Sequence, residues 1–199
     1  MKLSLTHTPR ALLSPALAAI ALSLASSSLY ADEVTDAVDE GLSAYKSGDL
    51  STASSQLDYA SGLIRQQKAE SIKVVFPNAL SGWEASEVES ESSGGMMGAG
   101  ISANREYYKG DADVSIELVM DSPMLQSMMG MINNPSMITM NGGKLVKVQG
   151  QKAIYNGDKD YPELIMIIDN NAMFTLKANG GATLDDLKAY GEALDLEAL

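Results

Sequence analysis

The chain has 199 residues, with 26 acidic against 14 basic side chains, a formal net charge of −12, no cysteine and a single histidine, His7. The missing thiols exclude disulfides, cysteine nucleophiles and thiolate zinc sites. The negative charge argues against nucleic acid and anionic lipid as general partners, since both require positive surface.

Lys2 and Arg10 flank the start of an apolar run from Ala11 to Leu24, and small residues then lead to Ala31, just before Asp32-Glu33. A basic start, a short apolar segment and a small residue at the cut are what a secretory signal requires. Residues 1–31 are therefore read as a signal peptide cleaved after Ala31, and the remaining chain as periplasmic or secreted. The run is short for a bilayer span, and no other stretch of about 18 apolar residues follows. Cleavage removes Lys2, His7 and Arg10, leaving 12 basic against 26 acidic residues and no imidazole. Without the commonest general base at neutral pH, an enzyme is the disfavoured class and no catalytic residue is assigned. The carboxylate pairs Asp111/Asp113 and Asp158/Asp160 fall at loop or strand edges, where solvated turns account for them. Neither a nucleophile elbow nor a Lys-bearing phosphate loop occurs.

From Asp32, the apolar positions Val34, Val38, Leu42 and Tyr45 recur at three- and four-residue steps, with Ala37, Gly41 and Ala44 beside them, so a helix of about four turns is expected. Gly48-Asp49 breaks it. Asp49 suits the cap of a second helix carrying Ala53, Leu57, Ala60 and Ile64. Residues 32–71 thus form an antiparallel helical hairpin. The run Gly41-Leu42-Ser43-Ala44-Tyr45-Lys46-Ser47-Gly48-Asp49-Leu50, followed by Ala53, Leu57 and Ala60, resembles one tetratricopeptide repeat. It departs from that pattern at Glu40, where a large apolar residue is expected, and no proline closes the second helix. The resemblance implies a helical hairpin, and a single copy does not make a solenoid. Such a hairpin packs on the following domain or docks a partner.

Residues 72–199 read as a separate α+β domain. Ser71–Phe76 is a short β-like run or the tail of the second helix. Trp83, the one tryptophan, is expected to anchor the two parts to each other. Glu84–Ser93 reads as a charged edge strand, Gly94–Gly100 as a loop, and Ile101–Lys109 and Asp111–Met120 as strands, the last alternating Val114, Ile116, Leu118 and Met120 on one face.

Ser122–Asn141 holds six methionines in twenty residues. At about 100° per residue, Met124, Leu125, Met128, Met129, Met131 and Ile132 share one side of an amphipathic helix. Pro123 suits its first turn, and Pro135 is expected to stop it.

Further on, Lys144–Gln149 and Lys152–Tyr155 are expected to be joined by a Gly150-Gln151 turn. Glu163–Asp169 and Ala172–Ala178 are expected to be joined through Asn170-Asn171. Thr183 and Asp186 stand in capping-box relation ahead of a last helix with Leu187, Tyr190 and Leu194 as its stripe. The order β-β-β-α-β-β-β-β-α gives an α+β fold, with a mostly antiparallel sheet covered by two helices on one side. It is similar to that of small exported domains of the PsbP/Mog1-like pattern.

Two functional readings follow. The first is a non-enzymatic exported binding or assembly protein that meets a periplasmic or envelope protein through the Met-rich face, at Met124, Leu125, Met128, Met129, Met131 and Ile132. Thioether-rich faces adapt to partners, whereas lipid contact is disfavoured because the helix lacks Lys and Arg. The alternative is a Cu(I)-binding protein, with copper held by the soft thioethers of Met124, Met128 and Met131.

Overall fold

The computed structural model describes residues 16–93, 100–123, 125, 135–140, 142–157 and 161–199. It has the expected α+β architecture, two long helices followed by an eight-stranded sheet. The chain divides into two compact units, Met1–Ala60 and Ser61–Leu199.

Helix α1 spans Ala16–Ser47 and α2 spans Leu50–Ser71. The segment read as an export signal is therefore, from Ala16, continuous with the first hairpin helix. Gly48 takes φ +87 at the break, where its amide donates to the Tyr45 carbonyl (3.1 Å). Asp49 then caps α2, accepting from the Thr52 amide (3.1 Å) and hydroxyl (2.7 Å). Those hydrogen bonds lower the Asp49 pKa, because they favour the charged form.

The run Ile72–Val75 extends α2 as a 3₁₀ turn, which resolves the Ser71–Phe76 alternative as helix tail. Ile72 and Val75 are buried while Val74 is exposed, so three-residue spacing satisfies the burial that an alternating strand would not.

Strands β1 (Glu84–Ala85) and β2 (Glu89–Ser93) both pair with β3 (Gly100–Lys109), so the expected single edge strand is interrupted at 86–88. There the Ser86 carbonyl accepts from Arg105 Nε (2.9 Å) and the Ser86 amide donates to the Glu106 carbonyl (2.9 Å). Next come β4 (Ala112–Met120), β5 (Lys144–Val148), β6 (Gln151–Asn156), β7 (Glu163–Ile168) and β8 (Ala172–Asn179). The sheet order is β1-β3-β4-β8-β7-β6-β5, with every neighbouring pair antiparallel.

Both later hairpin turns fall one residue earlier than expected. The left-handed pairs are Gln149-Gly150 (φ +49, +73) and Asp169-Asn170 (φ +49, +59). Two consecutive positive-φ positions suit the right-handed strand twist.

One sheet face buries Ile101, Tyr107, Val114, Ile116, Leu118, Leu164, Met166, Phe174 and Leu176 against Leu187, Tyr190 and Leu194 and against the α2 tail. Leu187 and Tyr190 belong to helix α4 (Leu184–Ala193) and Leu194 follows it; α4 is opened by the Thr183–Asp186 capping box. Gly191 lets α4 approach: a Cβ there would lie 2.8 Å from Val148 Cγ1. Helix α3, Pro135–Met140, begins at the proline expected to stop a helix. Proline is well placed in a first turn, where its missing N–H has no helical acceptor.

The two helices do not share a side. Tyr155 opposes Leu164 of the α4-covered face, so its neighbour Asn156 points from the other face. There the Asn156 side chain and Ile138 of α3 meet above Gly143.

Candidate partner-binding surface

The hairpin pairs its helices through small residues. Ala37, Gly41, Ala53 and Ala60 are buried, and a Cβ on Gly41 would lie 3.1 Å from Leu57 Cγ, so the backbones approach closely there. The large apolar residues are not enclosed by that seam, although Leu57 borders it over Gly41. Val38, Leu42, Tyr45, Leu50 and Leu57 are 39–65% exposed.

Helical geometry places all five on one side. Val38, Leu42 and Tyr45 lie about 60–120° around α1 from its buried seam, and Leu50 and Leu57 about 50–70° around α2 in the same sense. Because the helices run antiparallel, such rotation brings both sets to the same face of the pair. Glu33 and Tyr59 lie rotated the other way, and Tyr59 donates a hydrogen bond to Glu33, marking the opposite face. That bond raises the Tyr59 pKa, since ionisation would lose it beside a carboxylate. From Asp32 to Ala60 the hairpin carries seven carboxylates, at 32, 33, 36, 39, 40, 49 and 58, against one ammonium, Lys46. Of these, Asp39 and Asp58 fall on the outer flanks of the apolar strip, Lys46 shares the Asp39 flank nearer the turn, and Glu33, Asp36 and Glu40 lie on the far side of α1.

Of the Met-rich positions, Leu125 is described, and it is 2% exposed. Its amide donates to the Ser122 carbonyl (3.0 Å). Met124, Met128, Met129, Met131 and Ile132, including the three thioethers considered for copper, lie outside the described residues, as do Asp158 and Asp160. Met140, at the end of α3, is 85% exposed. Asp111 is exposed beside the Gly110 turn and Asp113 half-buried on β4.

The start of the Met-rich stretch is pinned by Asp121, which stands at φ +53. Asp121 accepts from Lys68 Nζ (2.5 Å) and Asn171 Nδ2 (2.8 Å). The Lys68 hydrogen bond, then that from Asn171, lowers the Asp121 pKa against the opposing effect of burial.

The sheet face away from α4 has its own polar depression of about 240 Å³, lined by Ser102, Asn104, Glu106, Ser115 and Glu117. Glu89 and Glu91 oppose Asn104 and Ser102 in register and extend its acidic character. Among the described residues, no group of three or more Asp, Glu, His or Cys side chains converges to hold a metal ion. No helix among them is long and apolar enough to cross a membrane.

Trp83 packs edge-on against Tyr190 (centroids 5.4 Å), and Tyr190 lies 4.2 Å from Tyr107. All three belong to the sheet domain, so the Trp83 ring contact lies within that unit. The Pro77 carbonyl accepts from Arg105 Nη1 (2.8 Å) and from the Tyr107 hydroxyl (2.9 Å), tying the connection after α2 to the sheet. Burial raises the Tyr107 pKa.

Sequence reasoning placed Val38, Leu42 and Tyr45 on the hairpin's apolar stripe and the small residues beside it. The signal that they face outward is the Ala37/Gly41/Ala44 series, which competes for the same helix pairing and fits a closer seam. No family model matches the chain, and neither a curated protein nor a solved structure matches it.

Proposed function

We propose that this is a non-enzymatic, exported binding or assembly protein whose working surface is the apolar face of its N-terminal helical hairpin. The observation that carries the reading is the exposure of Val38, Leu42, Tyr45, Leu50 and Leu57 together on one side of a helix pair already closed by Ala and Gly. Scattered exposed apolar side chains are ordinary, whereas five sharing one face of a helix pair mark an interaction site. The tetratricopeptide-like pattern of Gly41–Leu50 supports the same class, since a single hairpin has no neighbouring repeat to stack on. The buried Leu125 favours this face over the Met-rich stretch as the main contact.

The reading is tested with a photo-crosslinking residue placed at Leu42 and, separately, at Ser43 on the far side of α1. A discrete adduct from position 42 and none from 43 is expected in envelope fractions. Equal or absent labelling from both positions overturns it. The export half is tested separately by N-terminal sequencing, which is expected to start at Asp32.

A further inference from the structure

Resting on that reading, we infer that the partner is a cationic amphipathic helix that lies along the hairpin strip between Asp39 and Asp58. Two properties of the strip choose this occupant.

The first is shape. The five exposed side chains come from two antiparallel helices, three from α1 and two from α2, and helical geometry puts both sets on the same side of the seam. A third helix seats on two others in this way, its own apolar residues at three- and four-residue spacing filling the line between them. The seam residues Ala37, Gly41, Ala53 and Ala60 add no bulk that would hold an incoming helix away.

The second is charge. Asp39 on α1 and Asp58 on α2 each lie about 90° around their helix from the strip, on its outer flank, while Lys46 shares the α1 flank two turns further on, beside the Gly48 turn. Both carboxylates are exposed. A helix in the groove brings the flanks of its own apolar stripe next to these carboxylates. Lys or Arg there gains attraction from Asp39 and Asp58 and from the wider excess of seven carboxylates over one ammonium. Glu or Asp at the same places meets repulsion. The same excess disfavours a second copy of this chain, whose hairpin would bring an equal surplus of carboxylates to the contact. A cationic helix therefore satisfies both the apolar strip and its border, where a like-charged one satisfies only the first.

The test uses the purified chain and two dye-labelled synthetic helices with an identical leucine stripe, one flanked by lysines and one by glutamates, followed by fluorescence anisotropy. The lysine-flanked helix is expected to bind, with affinity falling as salt is raised, and the glutamate-flanked helix to bind at least tenfold more weakly. The double variant L42Q/Y45Q is expected to weaken binding of the lysine helix at least tenfold, while S43Q on the far side leaves it unchanged. The charge reversal D39K/D58K is expected to narrow or invert the preference. Circular dichroism of each variant shows that the helices remain.

Equal binding of both helices, lost in L42Q/Y45Q, overturns the cationic assignment and leaves the docking face standing. Binding of the lysine helix that ignores L42Q/Y45Q reduces the contact to diffuse charge attraction and overturns the strip as its seat. No binding of either helix, with sedimentation showing a dimer that L42Q/Y45Q dissociates, assigns the face to a second copy. No binding with a monomer overturns both the partner class and the docking reading.

Discussion

The two units bury opposite kinds of side chain. In the sheet domain bulk goes inward: Phe174, Leu176, Ile116, Leu118 and Tyr190 are fully enclosed, and Ala residues such as Ala103 and Ala178 fill the remaining gaps. In the hairpin bulk goes outward, with Ala37, Gly41, Ala53 and Ala60 inside and Leu42, Tyr45 and Leu50 in solvent. The cause is spacing. Two helices that meet through Ala and Gly approach closely and leave no volume between them for a leucine, so large residues stay on a flank until a third element covers them. A sheet with a helix across it has a wide interior and requires bulk to fill it. The gain from burying an aliphatic side chain, about 1.5–3 kcal/mol each, is thus realised throughout the sheet domain and largely unrealised on the hairpin face, where it is available to binding.

The sharpest way to test the contrast is to shorten side chains in each unit. Phe174→Ala is expected to cost about 3–5 kcal/mol, because the transfer free energy is lost and a cavity remains between β8 and its covering helix. Urea unfolding measures it, and a cost below about 1 kcal/mol would mean the sheet interior is loosely packed and the contrast false. Smaller, but still within the packed unit, is the effect of Gln149, whose Nε2 donates to the Gly191 (2.9 Å) and Leu194 (2.7 Å) carbonyls at the end of α4. Gln149→Asn keeps the left-handed backbone tolerable yet is too short to reach both carbonyls. A loss of about 1–2 kcal/mol is expected, the usual scale for polar groups stripped of partners.

Next in size is the tie between α2 and the end of β4. The Asp121 pKa is held below the usual carboxylate range, so its charged form is favoured by folding. The stability it contributes is present above the unfolded-state value of about 3.9 and is lost as pH falls through the lower folded value. Asp121→Asn is expected to cost about 0.5–1 kcal/mol at neutral pH, discounted because both partners of the ion pair are 39% exposed. Near pH 2 the variant and the parent should converge. Thermal melts across pH 2–7 decide it, and a constant difference at all pH values would show that the ion pair is not its source.

Much of this architecture is legible in the residues. The alternation of Val114, Ile116, Leu118 and Met120 marks β4 and its buried face, and Thr183 with Asp186 marks the start of α4 through a reciprocal cap. Illegible features depend on contacts far along the chain. Gln149 enters the turn, displacing it from Gly150-Gln151, and its amide engages carbonyls 42 and 45 residues away. The β-branched run at Ile72–Val75 favours a strand locally, yet Val75 and Ile72 are drawn into the core on a helical turn. In the hairpin, both the small and the large residues recur at helical spacing, and only the distance between helix axes decides which series becomes the seam. The Met-rich face showed itself in composition, and of its six positions Leu125 alone is described.

The smallest effect is the most discriminating. Leu42→Gln exchanges an apolar for a polar side chain of similar size and similar helix propensity, so in the free chain it is expected to change stability by less than about 0.5 kcal/mol, the range of ordinary surface substitutions. Guanidinium unfolding followed by circular dichroism is the measurement. A loss of 2 kcal/mol or more would mean that Leu42 is buried in solution, by the chain itself or by a second copy, and the hairpin would then obey the same inward rule as the sheet. A concentration dependence of that loss separates the two, since only self-association responds to the amount of protein present. A neutral result combined with lost partner binding is the signature of a side chain held in water for contact, because its burial is realised only when the partner arrives.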